Sequence, residues 1–137
     1  MKITIIIVTF KSEKVIYKCL SSINKNYPVI IIENSNNKNF KKEIENKFSN
    51  VKCLIAGKNL GFGKANNIGL RLAKTKYVFL LNPDTVLEKD TLEKLSSNAD
   101  RIKNFALLAP IIKNSHELNY GFFNKKKITR KIMIFLK

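Results

Sequence analysis

Residues 3–10 read Ile-Thr-Ile-Ile-Ile-Val-Thr-Phe, β-branched and almost wholly apolar. A strand with one wet face alternates apolar and polar residues. An unbroken apolar run means that both faces are covered, as inside a parallel sheet. Val29–Glu33 (VIIIE) and Tyr77–Leu81 (YVFLL) have the same character, and Val51–Ile55 is a shorter strand. The stretches between them carry the helical period. Ser12 stands where it can cap a helix with Val15, Ile16, Cys19, Leu20 and Ile23 on one face. Tyr27-Pro28 ends that helix, because the residue before a proline avoids the helical region. A polar turn at 34–37 leads into a charged helix that buries Phe40, Ile44 and Phe48. Residues 56–63 read as loop and Ala65–Ala73 as helix, with Ile68 and Leu72 inward. Asn82-Pro83-Asp84-Thr85 breaks the fourth strand; a helix near Asp90–Ile102, a fifth strand at Phe105–Ala109 and a hairpin over Ile111–Phe123 come next.

Strands separated by helices of about ten residues spell right-handed βαβ units. The fold class is α/β, a mostly parallel twisted sheet with flanking helices. There is no repeat and no Gly/Ser linker.

The chain has 137 residues, enough for one ordinary core. It is 45% apolar and 26% charged, a globular composition. No apolar run approaches the roughly 20 residues of a membrane span. Met1-Lys2-Ile3 runs straight into a strand without a signal-peptide pattern. Two cysteines, Cys19 and Cys53, suit a reduced interior and make no zinc site by themselves; His116 is the one histidine. The expected location is cytoplasmic.

The net charge of +16 is unevenly spread. Residues 1–124 hold 20 basic and 10 acidic side chains, net +10; residues 125–137 hold six basic and none acidic, net +6. Lys (23), Ile (18) and Asn (17) dominate the composition, as an A+T-rich codon bias would produce, so much of the body charge reads as solvated surface. A basic protein attracts polyanions without specificity. Stacking platforms for nucleic acid need aromatic residues interleaved with basic ones on an open sheet face. No such stripe exists, so no specific nucleic-acid partner is expected.

In open α/β sheets ligands bind beyond the carboxyl ends of the strands. Those ends carry Thr9-Phe10-Lys11-Ser12, Glu33-Asn34-Ser35, the glycine-rich stretch 57–69 and Asn82-Pro83-Asp84. Glu33 can accept hydrogen bonds from a ribose or base edge, or cap its own turn. The stretch 57–69 gathers four of the five glycines and three asparagines. Glycine permits close backbone approach to a ligand. Asn66 and Asn67 fall at the expected helix start, where free N–H groups favour anions. Gly61-x-Gly63-x-x-Asn66 lacks the last glycine of the dinucleotide fingerprint, and Gly63-Lys64-Ala65 lacks the Ser/Thr of a P-loop. Asp84, just past the strand-stopping proline, suits a hard divalent cation that draws its other ligands from phosphate and water, or else serves as a turn aspartate.

These pieces, in this order, resemble the family 2 glycosyltransferases of GT-A (Rossmann-like) fold, in particular the rhamnosyltransferase-like branch. Thr9-Phe10-Lys11-Ser12 matches the turn after the family's first strand, and Glu33-Asn34-Ser35 loosely matches Asp-Asn-x-Ser after its second. Asn59-Leu60-Gly61-Phe62-Gly63-Lys64-Ala65-Asn66-Asn67-Ile68-Gly69 matches Asn-x-Gly-Phe-x-x-x-Asn-Asn-x-Gly, and Leu81-Asn82-Pro83-Asp84 matches Leu-Asn-Pro-Asp. The resemblance covers residues 2–112 and implies a nucleotide-sugar-binding domain over 1–112. Residues 113–137 would then be the remnant of an acceptor region with a basic-apolar tail, making the chain a truncated form. It implies an inverting transfer of sugar from a UDP- or dTDP-sugar to the hydroxyl of a saccharide or lipid-linked acceptor, in cell-surface polysaccharide synthesis. Thr9, Phe10, Ser12, Glu33, Asn34, Gly61, Phe62, Asn66, Asn67, Asn82 and Asp84 would form the donor site, with Thr9 and Glu33 on the nucleoside and Asp84 holding Mg²⁺ or Mn²⁺ on the diphosphate. Glu33 replaces the family's usual Asp, and Asn82 replaces the first acid of its DxD motif. No residue is assigned as the catalytic base.

The tail, residues 125–137, admits two readings. As a helix it would gather Ile128, Ile132, Phe135 and Leu136 on one face and could lie on the anionic inner face of the membrane. Otherwise it is the start of a missing acceptor region. Correspondingly, the chain is either a working transferase or a donor-binding fragment that does not transfer.

Overall fold

The computed structural model describes residues 2–102, 107–108, 110 and 131–134. Their order is β1 (Ile3–Thr9), α1 (Glu13–Ser21), β2 (Val29–Glu33), α2 (Lys38–Lys47), β3 (Val51–Ile55), α3 (Phe62–Leu72), β4 (Tyr77–Leu81), α4 (Thr91–Arg101), β5 (Leu107–Leu108) and β6 (Lys131–Ile134). All these strands run parallel in one sheet of order β3-β2-β1-β4-β6-β5. The α/β expectation is met.

The apolar runs do what their composition predicts. All seven residues of β1 and all five of β4 are buried. On one face Ile3, Ile5, Ile7, Ile31 and Phe79 meet Ile16, Cys19 and Leu20 of α1, Phe40 and Ile44 of α2, and Leu92, Leu95 and Ala99 of α4. On the other, Ile6, Val8, Ile32 and Val78 meet Ala65, Ile68 and Leu70 of α3 and Ala73 just beyond it. Burying each isoleucine contributes about 1.5–3 kcal/mol. The helix α3 lies unusually close to the sheet: a Cβ on Gly69 would stand 2.6 Å from Cγ2 of Ile6.

The outer edge of β3 is occupied by α2. Cys53 donates its N–H to Glu45 Oε1 at 2.8 Å, and its carbonyl accepts from Lys41 Nζ, which also pairs with Glu45. At the other end of the strands, the Asp100 carboxylate gathers Lys2, Lys76 and the Tyr77 hydroxyl, which hold its pKa well below the usual carboxylate range.

Several boundaries differ from the sequence reading. The helix α1 stops at Ser21 rather than running to Tyr27. Ser22 Oγ bonds back to the Cys19 carbonyl at 2.6 Å, and Asn24 Oδ1 accepts from Asn26 N at 3.0 Å, local side-chain bonds that compete with the helix. Val15 and Leu72 are exposed, one step round from the sheet-facing stripes of their helices. The helix α3 begins at Phe62, three residues earlier than the alanine at 65. Of the expected fifth strand, Leu107–Leu108 is seen; the hairpin over 111–123 lies outside the described residues. The helical reading of the tail is overturned at 131–134, which add to the outer edge of β4 as β6. A strand edge offers those backbone groups a ladder, which an apolar segment with two β-branched isoleucines suits better than an isolated helical turn. The rest of the tail and the boundary at 112/113 lie outside the described residues.

Candidate functional site

From β1 the chain moves through α1 and α2 to β2 and β3, then crosses back by α3 to β4 on the opposite flank of β1. Such a reversal opens a crevice beyond the carboxyl ends of the strands. Thr9 is in register with Glu33, and Glu33 with Ile55; Leu81 lies alongside Ile7. The turns singled out from the sequence therefore leave the sheet along one edge.

Thr9 is 1% exposed, and its Oγ1 is the one buried side-chain polar atom among the described residues without a hydrogen-bond partner. An unpaired buried hydroxyl costs about 1–3 kcal/mol, a cost commonly tied to function. Phe10 stands half exposed beside it, and Lys11 takes a left-handed φ of 52°, placing Nζ 5.7 Å from the Phe10 ring. Ser12 is the N-cap residue by position, yet its side chain does not cap: Oγ faces back to the N–H of Phe10 at 3.2 Å.

Glu33, also 1% exposed, folds onto its own turn. Oε1 accepts from Ser35 N at 2.9 Å and from Ser35 Oγ, and Oε2 accepts from Asn37 N at 2.8 Å. A carboxylate has about four acceptor sites, so one direction stays open. Asn37 caps α2 through Phe40 N at 3.0 Å and donates to Glu13 of α1 at 2.9 Å. Ser35 and Asn37 thus belong to the site's framework, a role the sequence reading does not assign them. The available signal is the Asn-Ser-Asn-Asn cluster after a strand, a stretch of self-capping residues.

Asn34, 3% exposed, reaches the loop before α3: Nδ2 donates to the Gly61 carbonyl at 3.4 Å, and Oδ1 accepts from Leu60 N at 3.3 Å. Gly61, the N-cap of α3, has φ +75°, a conformation that favours glycine. Asn59 Oδ1 accepts from Gly61 N at 2.9 Å. Phe62 opens the helix half exposed. Because α3 starts there, Asn66 and Asn67 lie in its second turn rather than at its amino terminus. Asn66 is buried, with Nδ2 on the Phe62 carbonyl at 3.1 Å, and Asn67 is exposed. The exposed amides of the helix start belong instead to residues 62–64.

After β4, Asn82 O accepts from Thr85 N at 3.2 Å, closing a turn around Pro83. The same carbonyl accepts from the buried Cys19 Sγ at 3.6 Å, a contact with no sequence signal. Burial pushes the Cys19 thiol up to about 12, and the Asp84 charge adds to the shift. Asp84 itself is exposed. Among the described residues no three of His, Cys, Asp and Glu gather into a metal cage. One outward carboxylate fits a hard divalent cation that completes its shell from water and a diphosphate.

The family model described as Glycosyl transferase family 2 matches residues 4–136, nearly the whole chain. The chain belongs to this family. Two curated relatives within reach are the low-salt glycan biosynthesis hexosyltransferase Agl10 of Haloferax volcanii, 26% identical over 116 residues, and the poly(ribitol-phosphate) β-N-acetylglucosaminyltransferase TarP of Staphylococcus aureus, 30% identical over 105. The matches cover 82% and 69% of this chain but 37% and 32% of those proteins, so this family 2 chain spans about a third of their length. The crystal structure of S. aureus TarS 1-349 superposes with a TM-score of 0.72 at 25% identity, covering 88% of this chain and 39% of that one. TarS 1-349 has also been solved with UDP and with UDP-GlcNAc. The sheet and its helices are the GT-A arrangement of the family. Among the described residues no helix is long and apolar enough to cross a membrane.

Proposed function

We propose that this edge binds a UDP- or dTDP-sugar and that the chain takes part in inverting transfer of the sugar to an acceptor hydroxyl on a saccharide or lipid-linked acceptor. The observation that carries the reading is the orphaned Thr9 hydroxyl. It lies buried at the end of the central strand, next to Glu33 and within a family whose neighbour TarS has been solved with UDP-GlcNAc. Thr9 and the free acceptor direction of Glu33 would meet the nucleoside; residues 61–67 would wall the sugar and diphosphate. Asp84, with Asn82 beside it, would hold Mg²⁺ or Mn²⁺, which supplies neutralisation of the charge developing on the departing nucleoside diphosphate. Phe10 and Phe62 would shield the bond from water.

A second reading, donor binding without transfer, is favoured by the state of the nearby carboxylates. Glu33 is engaged in its own turn and Glu13 holds Asn37, so neither is placed as a general base. Calorimetry decides the donor assignment. The wild-type chain is expected to bind UDP- or dTDP-sugar in the presence of Mn²⁺, and Asp84→Ala to abolish that binding. Unchanged binding by the variant removes Asp84 from the metal. Turnover with an added acceptor separates the two readings, and robust transfer would eliminate the second.

A further inference from the structure

Asn34 stands at the strand end where a donor contact is expected, yet its side chain is engaged elsewhere. Its carboxamide bridges to residues 26 and 27 positions further on, donating to Gly61 O at 3.4 Å and accepting from Leu60 N at 3.3 Å. The Gly61 carbonyl also receives Ala65 N at 3.2 Å, the first hydrogen bond of α3, and the Gly61 N–H is held by Asn59. The residue that carries the left-handed turn is therefore pinned on both sides, and one of the pins comes from another strand. A carboxamide donates and accepts from neighbouring atoms; aspartate lacks the donor and alanine lacks both. The loop is anchored at its start, where Ala56 N donates to the Glu33 carbonyl at 2.9 Å, but along the loop Gly57 and Gly61 take positive φ and the space around Gly57, Gly61 and Gly63 is open.

We infer that Asn34 is a positioning residue. It ties the end of β2 to the start of α3, fixing the direction in which the exposed amides of residues 62–64 face the sheet edge, and it governs nucleotide affinity without touching the nucleotide. The second half of this inference rests on the donor-site reading above; the first half does not. Asn34 and the glycine loop are thereby one structural unit, made of residues far apart in sequence.

Amide hydrogen exchange of the ligand-free chain tests the tie. In Asn34→Ala the Leu60 amide is expected to exchange about tenfold faster, the size of effect that one or two lost hydrogen bonds produce, while amides of β1 and α4 keep their wild-type rates. The same variant is expected to bind UDP or dTDP with Mn²⁺ about tenfold more weakly. Asn34→Asp, nearly isosteric, serves if the alanine variant does not fold, and it is expected to weaken nucleotide binding similarly because the donor to Gly61 is lost. Unchanged exchange at Leu60 in a folded alanine variant overturns the tie. Faster exchange with unchanged nucleotide affinity overturns the positioning role and leaves a purely structural bond. If the wild-type chain binds neither nucleotide, the donor reading falls together with the ligand half of the inference, and exchange alone decides the tie.

Discussion

Two carboxylates stand along the same sheet edge and are put to opposite uses. Glu33, closing β2, is buried and accepts three hydrogen bonds from the turn that leaves it. Asp84, two residues past the prolyl turn's first residue, faces solvent. The difference lies in the chain neighbours of each. After Glu33 come Asn-Ser-Asn-Asn, whose N–H and hydroxyl groups curl back within reach of a side chain with two methylenes. Before Asp84 comes Pro83, which has no N–H to offer a carboxylate and holds its φ near −65°. One carboxylate builds the edge, and the other stands at its surface.

That contrast can be broken by substitution. The largest effect is expected for Glu33→Ala. Hydrogen bonds to a charged acceptor contribute about 1.5–3 kcal/mol each and add imperfectly, so a loss of about 3–5 kcal/mol in urea unfolding is expected, with an unchanged m-value. A loss below about 1 kcal/mol would show that Glu33 is not a framework residue. Asp84→Ala is the counterpart: its unfolding free energy is expected to stay within about 0.5 kcal/mol of wild type, as for surface positions generally. A large destabilisation would make Asp84 a second framework carboxylate.

A further effect is electrostatic. Burial raises the thiols of Cys19 and Cys53 from 9.0 to about 12. A group whose folded pKa lies above its unfolded one stabilises the fold below the unfolded value and loses that contribution as pH climbs through the folded one. Stability is therefore expected to fall between about pH 9 and 12 through these thiols. Asp84→Asn should lower the Cys19 pKa, because the Asp84 charge is part of what raises it. Thiolate titration in a Cys53→Ala background reads that directly, and an unmoved Cys19 would place Asp84 too far away to matter.

Much of the fold is legible in the sequence because the strands announce themselves. Three of the first four strands fall at the residues their composition marks, and the first falls one residue short, since a run such as Ile-Ile-Ile-Val has few uses outside a sheet covered on both faces. Helix ends are less legible, being decided by bonds such as Ser22 to Cys19 that the helical period does not carry. The strand at 131–134 reads as tail because its place depends on the edge of β4, 54 positions back along the chain. In the site, the edge and its loops are visible from spacing. The division of labour within it is not. That Asn34 faces the glycine loop and that Cys19 holds the Asn82 carbonyl are facts of packing between distant segments, for which a single sequence has no notation.

The Lys41–Glu45 pair on the backbone of Cys53 has a consequence for how this sheet can grow. Exposed ion pairs contribute little to stability, typically under about 1 kcal/mol. Here the pair does something else: it occupies, at mid-strand, the donor and the acceptor that an incoming strand would need. Enlargement past β3, whether by another segment or by a second molecule, is closed off by the chain's own second helix. The sheet is left with a direction. The edge left for a further strand is on the side of β5 and β6, away from the Glu33 turn.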